Sequence, residues 1–164
     1  MKARRNRRPS LNRAPIRNAI SIEVSNRQGL LRVSTAKLRA VAGRVLRAEG
    51  VQAASLGIAL VNDHEIRLLH RQFLGLDSAT DVLTFPLHEA GEALSGEIVI
   101  SVETAMREGP LHQHGSEGEV FLYLIHGLLH LCGYEDRTAK GARIMGIRQQ
   151  ELHQELGLSH RRSG

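Results

Sequence analysis

The residues best placed to do chemistry are His126 and His130, in the apolar run LIHGLLHLCGYED (124–136). On a helix, residues four apart share one face, with Cβ atoms about 5–6 Å apart. At that separation two imidazoles can grip one ion. The ordinary fate of a single histidine on an apolar helix is a hydrogen-bonded core side chain, so the pair alone does not decide. Its continuation favours a metal. Gly133 lies three residues after His130 and Asp136 six after it, which gives H-x3-H-x2-G-x2-D.

Glycine adopts left-handed backbone angles without a Cβ penalty. It lets the chain leave the helix and turn back, as in metzincin-type zinc sites, so that Asp136 supplies a third ligand. Two imidazoles and one carboxylate leave one position open to water, the mark of a catalytic rather than a closed structural site. Glu135 is the rival acid, but beside Asp136 in an extended turn it points elsewhere. The other histidines are weaker candidates. His112 and His114 fall in a Gly/Pro-rich loop, His153 and His160 lie near the C-terminus, and His64, His70 and His88 lack a partner at ligand spacing. Cys132 follows His130 by two residues, about 200° around the helix, and reads as a small buried side chain.

A zinc peptidase of this pattern carries glutamate directly after the first histidine, as the general base. Here that position is Gly127. Glycine cannot take a proton, and inside a helix it costs about 1 kcal/mol relative to alanine. Close approach of a neighbouring element is one use for it. Without the base, a metal can still acidify water and act as a Lewis acid on a phosphoryl oxygen. A phosphodiester substrate would also need a positive group to hold its charge.

Several elements must position these residues. AISIEVSN (19–26) alternates as a strand, and a helix starts at Thr35 and stops near Gly50. ASLGIALVN (54–62) is a second strand. Asn62 and Asp63 cap a helix that ends near Gly75. TDVLTFPL (80–87) is a third strand, with Pro86 at an edge. GEALSG (91–96) is expected as a turn and EIVIS (97–101) as a fourth strand. A short helix then breaks at Gly109-Pro110. EVFLYLIHGLLHLC (119–132) is an apolar helix, and an amphipathic one follows over about 138–156. This interleaving predicts an α+β (mixed α/β) fold with one small mixed four-stranded sheet.

The chain has 164 residues, 41% of them apolar, with no run of membrane-spanning length. Aromatic residues are 3% and tryptophan is missing, which argues against a base-stacking platform. The single cysteine excludes an internal disulfide and fits a reducing cytoplasm. The net charge of +5 comes from residues 1–17, which hold seven Lys/Arg and no acid. The other 147 residues carry 15 basic and 17 acidic groups. No apolar stretch follows the basic start, so a secretory signal is not expected. The segment 1–17 reads as a solvated, disordered tail or as an arm for RNA phosphates, and residues 18–158 as one domain.

HGLLHLCGYED (126–136) resembles the H-G-x-L-H-L-x-G-Y-D-H signature of the YbeY endoribonucleases, bacterial rRNA maturation factors. TDVLTFP (80–86) resembles that family's T-D-V-L-S-F-P, and GEIVIS (96–101) its G-D-I-x-I-S strand. Arg71, in LLHRQFLGLD, falls where the family places a functionally important arginine. The likeness runs over about 54–156 in order, with a weaker fit over 19–53. It implies a zinc-binding fold with the metal helix at a cleft and cleavage of single-stranded RNA. It further implies processing of the 16S rRNA 3′ end, ribosome quality control, and a cytoplasmic protein working at the small ribosomal subunit.

One letter departs from the pattern. The family signature ends Asp-His, its histidine being the third ligand, whereas this chain has Glu135-Asp136. Asp136 takes the ligand position by alignment. A carboxylate oxygen can bind zinc at about 2.0–2.2 Å, but it is harder than imidazole and shifts selectivity toward Mn²⁺ or a similar ion. The metal set is thus His126, His130 and Asp136, with His126, His130 and Arg71 as catalytic residues. Arg71 would grip a phosphate oxygen. Thr80 and Asp81 form a polar cleft wall for substrate, or simply cap the third strand. Phe85-Pro86 is read as packing, and Tyr134 as a hydrogen-bonding neighbour of the site. Two rival functions remain: a non-enzymatic ribosome-assembly factor with a structural metal, and a metallohydrolase of another substrate.

Overall fold

A computed structural model describes residues 19–158. The basic segment 1–17 and His160 lie outside the described residues. The elements run β1 (Ile20–Asn26), α1 (Thr35–Ala48), β2 (Ala54–Val61), α2 (Asp63–Leu74), β3 (Val82–Pro86), β4 (Leu94–Ser101), α3 (Val102–Glu108), a 3₁₀ turn (Gly109–His112), α4 (Gly115–Leu131) and α5 (Ala139–Glu155).

The sheet order is β1-β2-β4-β3. β1 and β4 both run parallel to β2, and β3 runs antiparallel to β4 on the outside. The mixed four-stranded sheet is the one the sequence predicts. Pro86 closes β3, an edge strand, where a residue without an N–H breaks no central ladder.

Side chains alternate across a strand, and the alternation separates two cores. Leu56, Ile58 and Leu60 of β2 and Ile98 and Ile100 of β4 pack with α1 and α4. Val61 and Val99 face the other way, with Leu83 of β3 and Ile66 of α2. α2 therefore covers the opposite face of the sheet from α4. α4 is central: Phe121, Leu124, Ile125, Leu128 and Leu129 are fully buried. A helix apolar around most of its circumference belongs inside the fold.

Local signals account for the helix ends. Ser34, Asn62, Ser101 and Thr138 each cap a helix by accepting a backbone N–H. α2 ends on Gly75 at φ 68°. Two boundaries differ from the sequence reading. The turn expected over 91–96 is shorter, because Leu94 is already paired with Ala54 and buried. α4 starts at Gly115 rather than at 119. That adds a turn of helix before Glu119 and moves this residue from a helix start to a buried helical position.

Candidate metal centre

α4 and the turn after it bring His126, His130 and Asp136 together. The two imidazole Nε2 atoms lie 3.1 Å apart. Asp136 Oδ2 is 3.4 Å from His130 Nε2 and 3.7 Å from His126 Nε2. Ligands about 2.1 Å from a tetrahedral ion sit about 3.4 Å from one another, so the spacing matches a shared ion.

The hydrogen bonds behind the rings give an independent test of fit. His126 Nδ1 lies 2.8 Å from Gln149 Oε1 of α5, and His130 Nδ1 lies 3.1 Å from the Tyr134 carbonyl. Both partners are acceptors, so each Nδ1 carries the proton and each Nε2 offers a lone pair. Two ring lone pairs and a carboxylate then converge with no donor between them. That set suits a cation. Two histidines and a carboxylate are a donor set for zinc or a similar divalent ion.

The turn that delivers Asp136 is a Schellman motif. Gly133 has φ 99°, its N–H bonds to His130 O, and the Tyr134 N–H bonds to Leu129 O. Tyr134 is tied further: its hydroxyl donates to Glu49 Oε2 at 2.9 Å, and Arg148 Nε donates to Glu49 Oε1 at 2.6 Å. Burial, with this bond to Glu49, raises the Tyr134 phenol above its ordinary value. Glu135 is engaged elsewhere. Its carboxylate accepts from the Thr138 hydroxyl at 2.8 Å and from the Arg137 N–H at 2.7 Å, which holds it below the usual carboxylate range. Burial pushes the Cys132 thiol up to about 11, consistent with a packed side chain rather than a ligand.

Gly127 faces the sheet. A Cβ there would stand 2.9 Å from Ile98 Cγ2 and 3.1 Å from Thr84 Oγ1. A glutamate at this position would press into β3 and β4, so the base position of a peptidase is closed by packing. Gly96 repeats the contact from the strand side, with Leu131 Cδ2 2.6 Å from where its Cβ would be. These two glycines let the metal helix lie against the edge of the sheet.

The three candidate ligands line a cleft of about 820 Å³, opposite Asp81, Thr84 and Phe85. Asp81 Oδ1 accepts from the Val82 N–H at 2.8 Å and from the Thr80 hydroxyl at 3.3 Å. Asp81 thus both caps β3 and faces the cleft, while Thr80 supports it from beside. Arg71 stands apart from this group. It is exposed on α2, on the other side of the sheet, and does not line the cleft; Leu74, one turn later, does. Among the described residues no carboxylate forms an ion pair with Arg71. His70 is a satisfied core histidine, bonded through Nδ1 to Ser78 O at 2.8 Å.

The sequence reading passed over one group. His112 and His114 converge on the buried carboxylate of Glu119, and all three offer ligand atoms within 4.8 Å of one another. The available signal was His-x-His followed five residues later by glutamate, hidden by placing the start of α4 too late.

Comparison with known proteins agrees with the fold. The family profile "Endoribonuclease YbeY" matches residues 23–157. "Endoribonuclease YbeY" of Anaeromyxobacter sp. (strain Fw109-5) is 38% identical over 85% of this chain and 73% of its own length. The protein of that name from Moorella thermoacetica is 38% identical over 74% of this chain and 88% of its own length. The solution structure of TM1509 from Thermotoga maritima superposes with a TM-score of 0.59 at 28% identity, covering 84% of this chain and 89% of that one. The chain belongs to the YbeY endoribonuclease family.

Proposed function

We propose that this protein is a metal-dependent endoribonuclease that cuts single-stranded RNA, acting in 16S rRNA 3′-end maturation and ribosome quality control at the small ribosomal subunit in the cytoplasm. The observation that carries the metal dependence is the convergence of three acceptors, His126 Nε2, His130 Nε2 and an Asp136 oxygen, with no donor among them. Membership of the family supports the substrate class.

His126, His130 and Asp136 would hold one divalent ion, Zn²⁺ or, given the carboxylate, Mn²⁺ or a similar ion. When bound, such an ion supplies Lewis acidity toward a phosphoryl oxygen and acidifies water. The protein's own contribution is positioning. Gln149 and Tyr134 fix both imidazole tautomers, so that the lone pairs face the cleft. Asp81, supported by the Thr80 hydroxyl that donates to it, gives the opposite wall its polar character toward the substrate. Arg71 is assigned to a phosphate of the RNA strand outside the cleft, which its guanidinium can grip through two N–H groups from α2, one turn before the cleft-lining Leu74. Its exposure and its lack of an ion-pair partner among the described residues leave it available for this.

The decisive test is His126→Ala, followed by metal analysis and cleavage of a single-stranded RNA. The equivalent of metal held by His126, His130 and Asp136 should be lost, and cleavage with it, with the fold retained. Cleavage at the wild-type rate by metal-free His126→Ala protein would overturn the proposal.

A further inference from the structure

α4 carries a second group of ligand-type side chains at its other end. His112 closes the 3₁₀ turn, His114 immediately precedes α4, and Glu119 lies on its second turn. His112 Nδ1 is 3.2 and 3.1 Å from the two Glu119 oxygens, and His114 Nε2 is hydrogen-bonded to one of them. The Glu119 side chain is only 2% exposed. The His153 ring packs edge-on against His114, with centroids 5.0 Å apart. A cavity of about 560 Å³, lined by His112, His114, Gln149 and His153 among others, opens over the cluster.

We propose that His112, His114 and Glu119 form a second metal site, for one borderline divalent ion of the Zn²⁺ class. Three observations support it. The donors are two imidazoles and a carboxylate, the same chemistry as the first cluster. The ligand-type atoms of all three converge within 4.8 Å of one another, with both imidazoles already directed at the carboxylate. Third, the buried Glu119 carboxylate is held by hydrogen bonds from His112, His114 and Tyr123, so two imidazoles are already aimed at an anionic oxygen that a cation could share. Here a cation can enter, because the His112 side chain is 49% exposed at the cavity mouth.

The two clusters are separate sites. Glu119 precedes His126 by seven residues, about 10 Å along a helix axis. A two-metal catalytic centre needs about 3.5–4 Å. The second ion would therefore be structural, pinning the segment 109–114 to α4. Gln149 lines this cavity and also holds His126 Nδ1, so one side chain of α5 touches both places.

The test uses untagged full-length protein stripped of metal and titrated with Co²⁺ alone, read by visible absorption and by equivalents bound. Wild type should take up two equivalents. The His126→Ala/His130→Ala variant should keep one, and adding His112→Ala/His114→Ala should remove it. Because those replacements can loosen the loop, Glu119→Gln is measured alongside. It keeps the side-chain size and should weaken the second equivalent by about tenfold or more, with the circular dichroism of the metal-free protein unchanged. The proposal is overturned if folded His126→Ala/His130→Ala protein binds no Co²⁺. It is equally overturned if its remaining Co²⁺ is indifferent to both the His112/His114 and the Glu119 replacements.

Discussion

Tyr134 holds His130 through its backbone and is itself held through its side chain. Its carbonyl oxygen lies 3.1 Å from His130 Nδ1, while its hydroxyl donates to Glu49 of α1 at 2.9 Å. The orientation of a candidate metal ligand is thus secured by a residue 85 positions away in the chain from that anchor. Tyr134→Phe removes only the hydroxyl. The expected loss is about 1 kcal/mol of stability, together with a fall in Zn²⁺ affinity of up to about tenfold. Thermal melting and competitive chelator titration measure the two effects separately, and wild-type values in both would show that the anchor is idle.

Gly127→Glu writes the peptidase motif H-E-x-x-H into α4. The new side chain would have to displace Ile98 and Thr84, which stand 2.9 and 3.1 Å from the position of its first carbon. Overpacking a core typically costs about 1–3 kcal/mol, and a buried unpaired carboxylate adds to that. The variant should be strongly destabilised in denaturant and should not hydrolyse unstructured peptides with added zinc. A stable variant with peptidase activity would contradict the packing account of this glycine.

Arg71→Ala should leave fold and metal content unchanged, since the side chain is exposed and makes no ion pair among the described residues. Cleavage of single-stranded RNA should fall by about tenfold or more through weaker binding of the strand, since a hydrogen bond to a charged group is worth about 1.5–3 kcal/mol. Unchanged cleavage would remove Arg71 from the catalytic set. Cleavage lost together with metal would make its role structural.

Asp63 predicts a pH dependence of stability. Its carboxylate accepts from Ser101 Oγ at 2.6 Å, Thr104 Oγ1 at 2.9 Å and the Arg107 guanidinium at 2.6 Å, joining α2 to α3. Burial alone would raise its pKa, but the bonds from Arg107, Ser101 and Thr104 outweigh that and hold it below the ordinary value. A depressed folded pKa means stability that is present above the unfolded value, about 3.9, and lost as pH falls through the folded one. Asp63→Asn should cost about 1.5–3 kcal/mol at pH 7, and the gap to wild type should close below about pH 4. Chemical denaturation at both pH values tests this.

Much of this was legible in the chain because it depends on local patterns. The alternation in 54–62 and the spacing of His126, His130, Gly133 and Asp136 each arise within a few residues. Gly127 could be read from sequence only as a missing base. That it receives Ile98 and Thr84 depends on the packing of α4 against two strands, which no local spacing encodes. The same holds for Glu119, whose partners His112 and His114 reach it only because Gly115, at φ 71°, opens α4 earlier than the apolar run suggests. Asn62 announced the start of α2, but which face of the sheet α2 covers, and hence where Arg71 stands, is set by the alternation of Ile98 and Val99.

α4 also behaves as a ruler. Glu119 is near one end, His126 and His130 are near the other, and the buried Phe121, Leu124, Ile125, Leu128 and Leu129 occupy the length between. One residue added between 119 and 126 would rotate one end against the other by about 100° and lengthen the helix by about 1.5 Å. Either a ligand cluster or the core would then lose its partners. Length variation among natural or designed relatives should therefore collect in segments such as 87–93, while the interval from Glu119 to His130 keeps its residue count.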